Sequence, residues 1–379
     1  MAAAATRPLI AEVRERGPLT VAAFMDLALY HPEHGYYARA AQRTGRDGDF
    51  FTSVDVGPLF GEILELQIAD MAACLGGDAP FDLAEVGAGN GRLAGDILGA
   101  LERRHPSLLA RTRLHLVEAS PSARAAQRDT LGHHASRLQT SGPSLPDRLH
   151  GVIVANELLD AMPVHQVVMR GGHLREVYVA AQDDRLTTEE GPVSTGAIPA
   201  YLDRLGATLE EGWRVEVNLA APRWIAEAAA RLTRGFLLLI DYGHAAADLY
   251  SASHAGGTLM TFSRHVARGA EAAGTPSWLE RPGEQDITSH VDFTSVQAAA
   301  VDAGLTVLGF LDQTYFLLGL LDGVDPFAGL PALQQMKQRL ALKTLLLPGG
   351  LGSTCKVLLL GKDVGAPALK GCSYRLRVT

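Results

Sequence analysis

Apolar residues recur at three- and four-residue intervals between Gly57 and Leu75, at Phe60, Ile63, Leu64, Ile68, Met71 and Leu75, which predicts a helix with one buried face. The stretch GGDAP breaks that pattern, and the short apolar run Phe81–Val86 follows as a buried strand. Helical spacing returns at Leu93, Ile97, Leu98 and Leu101 and runs to Arg104. Arg113–Glu118 predicts a second strand, and Pro121–Leu131 a helix capped by Ser120 with Pro121 in its first turn. A third apolar run, Gly151–Ala155, is followed by polar residues. Further along come a helix at Trp224–Leu232, a buried strand at Gly235–Asp241, strands near Thr306–Phe310 and Thr354–Leu360, and a long helix at Pro331–Leu346. Strands that alternate with helices predict an α/β fold with a doubly wound, mostly parallel sheet.

From Pro163 to about Gly212 the alternation stops, and HQVVMRGGHLREVYV shows two strand-like runs joined at Gly171–Gly172, a hairpin signal. The expected division is therefore N-terminal helical or lid elements over 1–75, a core over 76–162 and 213–379, and an inserted β-rich hairpin region over 163–212. Edge strands in that insertion make it a candidate surface for a homodimer or for substrate docking.

Composition narrows the class. The 379 residues are 47% hydrophobic and 20% charged, as in a soluble globular protein, and the formal net charge of −8 argues against nucleic acid as a partner and favours a cationic one. Cys74, Cys355 and Cys372 are too few and too scattered for a disulfide framework or a CxxC site, so a reducing compartment and no metal are expected. No window is apolar enough for a membrane span, and the charged start MAAAATRPLIAEVRERG is expected to be the first helix of a cytoplasmic protein.

The chemistry centres on EVGAGNG, residues Glu85 to Gly91. A parallel sheet binds ligands at the carboxyl ends of its strands, where glycines let backbone approach the ligand. A dinucleotide fingerprint, GxGxxG, needs a glycine at 92, and Arg92 stands there. The spacing acidic-x-Gly-x-Gly-x-Gly resembles instead the first motif of class I S-adenosylmethionine methyltransferases, with Gly87, Ala88, Gly89 and Gly91 against the donor and Glu85 facing its amino group. Glu118, ending the second strand, can accept both ribose hydroxyls, a role equally suited to NAD. After the third strand NELLDAMP offers Asn156, Glu157 and Asp160. Carboxylates suit a nucleophile that starts cationic, such as a guanidinium, because they orient it and receive its proton; capping of the next helix is the other reading. Asp241, His290 and Asp292 stand near expected strand ends, with His290 and Asp292 as further candidates for substrate contact or proton transfer.

With those elements placed, the chain resembles the MidA-like family of class I methyltransferases, relatives of a mitochondrial complex I assembly factor that methylates arginine. The resemblance rests on FMDLALYHPEHGYY, GDFFTS with FGE, EVGAGNGRLAGDIL, HLVEAS, ANELLDAMPVH, REVYV, DYGH, DITSHVDF and GSTCKVLLL, in order along nearly the whole chain. It implies a Rossmann-like methyltransferase core, S-adenosyl-L-methionine as cofactor, and donor or substrate contacts at Gly35, Tyr36, Asp49, Phe50, Thr52 and Ser53. It also implies protein arginine N-methylation steered by Glu157 and Asp160. The alternatives are O- or N-methylation of a small molecule, and a non-catalytic assembly factor that binds the donor. The chain departs from the family pattern at Ala88, Asn90 and Arg92, and again at Val54 and Asp55.

Overall fold

The structure, a computed structural model, describes residues 6–40, 52–263, 266–268, 276–347 and 351–374. Two compact units share the chain: Phe51–Leu158, Ile225–Tyr242 and Ala300–Thr379 form one, and Met1–Phe50, Leu159–Trp224 and Gly243–Ala299 the other.

In the first unit, β1 (Phe81–Val86), β2 (Thr112–Val117), β3 (Leu138–Gly142), β4 (Leu149–Asn156), β5 (Leu232–His244, its last two residues belonging to the other unit), β6 (Thr306–Asp312) and β7 (Cys355–Lys362) lie in the order β6-β7-β5-β4-β1-β2-β3. Every residue of β1 is buried, including Asp82 and Glu85, which is why its apolar residues show no alternation along the strand. Three helices carry the spacings seen in the sequence: α1 (Leu59–Leu75), α2 (Arg92–Arg104) and α3 (Pro121–Leu131). Phe60, Ile63, Leu64 and Met71 of α1 join Leu93, Ile97, Leu98 and Leu101 of α2 in one core with Phe81, Val154 and Phe236 of the sheet. Ser120 caps α3 as expected, its Oγ accepting from the Ala123 N–H at 3.4 Å.

β1 to β5 pair in parallel, whereas β7 is antiparallel to both β5 and β6. Two facing glycines set the spacing within the parallel part. A Cβ at Gly235 would lie 1.9 Å from the Gly151 carbonyl oxygen, and one at Gly151 would lie 2.0 Å from that of Asp82. Their φ values of 145° and 156° are open to glycine and to little else.

The second unit holds the helices Thr6–Arg16 and Val21–Tyr30 and a five-stranded sheet. The expected hairpin is there: His165–Arg170 and His173–Gln182 pair antiparallel around Gly171 and Gly172, both at positive φ as a tight two-residue turn requires. Residues 243–299, expected in the core, belong to this unit. The reason is apolar packing: Leu259, Trp278, Leu279 and Ile287 bury themselves with Phe24, Met25, Val177 and Val179.

Candidate active site

The glycine turn connects β1 to α2. Gly87, Gly89 and Gly91 have φ of 72°, 51° and 84°, so the turn needs residues that adopt the left-handed region without strain. The Gly87 and Ala88 N–H groups donate to the Val117 carbonyl at 3.0 and 3.1 Å, and the Gly91 N–H closes the turn on the Ala88 carbonyl at 2.8 Å. A Cβ at Gly87 would press on Leu158, whereas one at Gly89 would meet nothing within 4 Å. The turn is thus supported from behind and open at Gly89.

Glu118 is locked onto that turn. Its Oε2 accepts from the Gly89 N–H at 2.9 Å and its Oε1 from the Ser120 N–H at 2.7 Å. A carboxylate has about four acceptor directions, so two remain for a vicinal diol. Gln127, on α3, holds the Gly89 carbonyl at 2.9 Å and accepts from Ser141 at 2.7 Å; the sequence reading passed over it, though its place on the first buried face of α3 was the available signal.

Glu85 faces inward. Its Oε2 accepts from the Ala94 N–H at 2.9 Å, supplying the first turn of α2 with the acceptor that Gly91, lacking a side chain, cannot. Burial, reinforced by Glu118, pushes its carboxyl up to about 8.

Past β4, Glu157 adopts φ 51°, unusual for a residue with a side chain, and its N–H donates to the Ile240 carbonyl at 2.8 Å. Strain of this kind concentrates at functional positions. Its Oε1 accepts from the Ser53 N–H at 3.3 Å and from Asn156 Nδ2 at 3.4 Å. Burial, together with Asp241 and Asp55, pushes this carboxyl up to about 8. Asp241 accepts from the Leu158 N–H at 3.0 Å, and the buried Asn156 Oδ1 has no partner among the described residues. It is an acceptor available to an N–H or O–H of a ligand.

Two departures from the family pattern pair with each other: Arg92 donates to Asp55 at 2.5 Å. Asp55 in turn takes the N–H and the hydroxyl of Thr52 at 3.1 and 3.0 Å. The Ser53 hydroxyl donates to Gln313 at 3.3 Å. Thr52 and Ser53 therefore position Asp55 and Glu157.

One unit thus brings together Glu85, Gly87, Ala88, Gly89, Gly91, Glu118, Asn156, Glu157, Thr52 and Ser53, while Gly35, Tyr36, Asp160, His290 and Asp292 belong to the other. Asp49 and Phe50 lie outside the described residues. Gly35 is buried in the turn after Val21–Tyr30, its N–H on the His31 carbonyl at 2.9 Å, and Tyr36 packs edge-on against Tyr37. Asp160 is buried, and its carbonyl accepts from the Ser289 N–H at 2.9 Å. Asp292 accepts from the Tyr201 hydroxyl at 2.8 Å and from the N–H groups of Thr294 and Ser295 at 2.9 and 3.3 Å, capping the helix Phe293–Asp302. The string DFTS carried that capping signal. His290 is held down to about 4 by burial and by the neighbouring His244 and His254.

A turn open at Gly89, a carboxylate fixed on it with acceptor directions to spare, and Arg92 where a dinucleotide fingerprint needs glycine fit a nucleoside ligand without phosphates: the chain is an S-adenosylmethionine-dependent methyltransferase of the class I sheet order. Residues 63–311 match the family described as "Putative S-adenosyl-L-methionine-dependent methyltransferase", and the chain belongs to it. A crystal structure of a COG1565 superfamily member from Burkholderia thailandensis, bound to S-adenosyl-homocysteine, shares 31% identity and covers 98% of this chain and 95% of its own, with a TM-score of 0.85. The protein arginine methyltransferase NDUFAF7 of Bos taurus is 30% identical over 84% of this chain and 73% of its own length. Its Drosophila melanogaster homolog is 29% identical over 82% and 73%. Both relatives are named mitochondrial, and the expectation of a cytoplasmic protein is overturned by that finding.

Because both Glu118 oxygens are already fixed by backbone N–H groups, removing the side chain also frees the turn. Glu118→Ala should weaken binding of S-adenosylhomocysteine by roughly 100-fold. Calorimetric titration measures this, and an unchanged affinity would take Glu118 out of the donor site.

Proposed function

We propose that the methyl acceptor is an arginine side chain of a protein, held by Glu157. The observation that carries this reading is the half-buried carboxyl of Glu157, fixed at the end of β4 by the Ser53 N–H and Asn156, with desolvation and the nearby Asp241 and Asp55 raising it to about 8. A carboxyl in that state is stabilised by a cation. A guanidinium returns it to the ionised form, pairs with it through charge-assisted hydrogen bonds, and is oriented by its planar fork. The names of the mammalian and insect relatives support the same acceptor.

Glu118 and the glycine turn would hold the donor, which supplies an electrophilic methyl on a sulfonium. Asn156 Oδ1 offers one further acceptor. A guanidino nitrogen attacks the methyl carbon as the S–C bond breaks, the electron pair stays with sulfur, and the proton of that nitrogen passes to Glu157.

The test is incubation of the protein with a lysate and methyl-labelled donor, followed by amino-acid analysis of the hydrolysed protein fraction. Label in methylarginine is the expected result. Label confined to a solvent-extractable product overturns the acceptor and leaves the methyltransferase.

A further inference from the structure

Three histidines far apart in sequence converge in the second unit, and none takes part in the transfer step above. His244 ends β5, His254 ends the short turn Ala252–His254, and His290 stands between the strands Asp286–Thr288 and Val291–Asp292. Their ring centroids are 4.8 Å (His244 to His254), 5.1 Å (His244 to His290) and 5.9 Å (His254 to His290) apart. One ring nitrogen from each lies within 4.8 Å of the others, and all three side chains are half-buried.

We infer that His244, His254 and His290 form a binding site for a divalent transition metal of the zinc class. Three neutral imidazoles with no thiolate suit such an ion, and at a bond length near 2.1 Å the three nitrogens would draw in to roughly 3.4 Å from one another. Small imidazole rotations supply that contraction.

Two features beyond proximity support ligation. His254 Nδ1 lies 3.0 Å from the Asp248 carbonyl, so Nδ1 carries the proton and Nε2 the lone pair. A backbone carbonyl behind a metal-ligating histidine sets its tautomer and orientation in this manner. His290 brings a buried Nδ1 without a hydrogen-bond partner among the described residues, and a polar atom in that state is one that coordination can satisfy.

The backbone holds the set in place. Gly243 and His244 pair in parallel with Val291 and Asp292, and the His290 N–H donates to Thr258 Oγ1 at 3.1 Å. Thr258 is itself anchored on the buried Glu216 by its N–H at 2.7 Å and its hydroxyl at 2.9 Å. The carboxylate of Asp292 is engaged by Tyr201 and the helix it caps, so the three imidazoles supply the ligands and leave further coordination positions to solvent. All three residues keep part of their surface exposed, so the cluster is not sealed from solvent.

Scattered cysteines predict no metal, and these histidines, separated by ten and thirty-six positions, form no local spacing that would predict one. A second grouping, Glu102 with His133 and His134, lies on the other unit, where Glu102 and His133 are exposed and already paired at 3.1 Å. It serves as an internal control.

The full-length chain, free of any polyhistidine tag and stripped with a chelator, is titrated with Zn2+ by calorimetry and with Co2+ by visible absorption. The expected result is one equivalent of zinc at micromolar or tighter affinity and the absorption of a low-coordinate cobalt ion with nitrogen ligands. His254→Ala, on an exposed turn, should weaken binding roughly 100-fold or more with an unchanged circular dichroism spectrum, and His133→Ala should leave it intact. Absence of stoichiometric binding by the wild-type chain overturns the site, and so does binding that survives His254→Ala but disappears in His133→Ala. Because the readout is metal content, the outcome is independent of the methyl acceptor.

Discussion

Glu157→Gln should lower kcat for arginine methylation by roughly 10³-fold while leaving donor affinity within about twofold. Glutamine keeps the shape, and its carbonyl oxygen still accepts from the Ser53 N–H and from Asn156, the two contacts that hold the native side chain. What it removes is the negative charge and the proton acceptor. The backbone at 157 retains its hydrogen bond to the Ile240 carbonyl, so the left-handed conformation is kept and the comparison isolates the carboxylate. A pH profile sharpens the test. With Glu157 at about 8 in the free protein, the carboxyl is neutral below that value and ionised above it. For the wild type, kcat/KM should therefore rise with pH and level off beyond about 8, and the variant should lack this limb. A variant with wild-type kcat would remove Glu157 from the mechanism, and a rising limb that persists in it would belong to some other group.

Much of this site could be read from local sequence because its parts are local. The strand Phe81–Val86, the three glycines and the cap at Ser120 each occupy a few consecutive residues whose chemistry has few alternatives. Glu118 follows from the end of the next strand by position alone. What escaped the reading depends on distant pairs. Arg92 stands out in the sequence only as a departure from the family pattern, yet its partner is Asp55, thirty-seven positions earlier and also a departure. Asp292 was read as a reactive carboxylate because strand ends in this fold carry chemistry, and its use as a helix cap required giving equal weight to Thr294 and Ser295. Residues 243–299 went to the wrong side of the division because a periodic pattern reports that an element has an apolar face without reporting which element covers it. Compartment was the least legible property. The cysteine count constrains redox chemistry and says nothing of address, and the relatives' names overturned that expectation.

Gly235→Ala should destabilise the protein by about 3 kcal/mol or more, although it adds only one methyl group, beside the apolar run Phe236–Ile240. The added Cβ would fall 1.9 Å from the Gly151 carbonyl oxygen, which is backbone in the middle of a sheet and cannot swing aside. Relief requires β5 to move away from β4 or to abandon φ 145°, and either change breaks the parallel register in which Gly235 faces Gly151 and Ile240 faces Asn156. That register delivers the candidate site residues. The Glu157 N–H reaches the Ile240 carbonyl, and Asp241 takes the Leu158 N–H, at the carboxyl ends of the same two strands. A variant that still folds should therefore show a lowered kcat as well as a lowered urea midpoint, even though the substitution lies far along the strand from Glu157. Gly89→Ala is the matched control. It has open space for its Cβ and a φ of 51°, so it should cost only the strain of the left-handed region, about 1 kcal/mol. Equal urea midpoints for the two variants would mean that backbone conformation, and not the close approach of β4 and β5, is what glycine provides at 235.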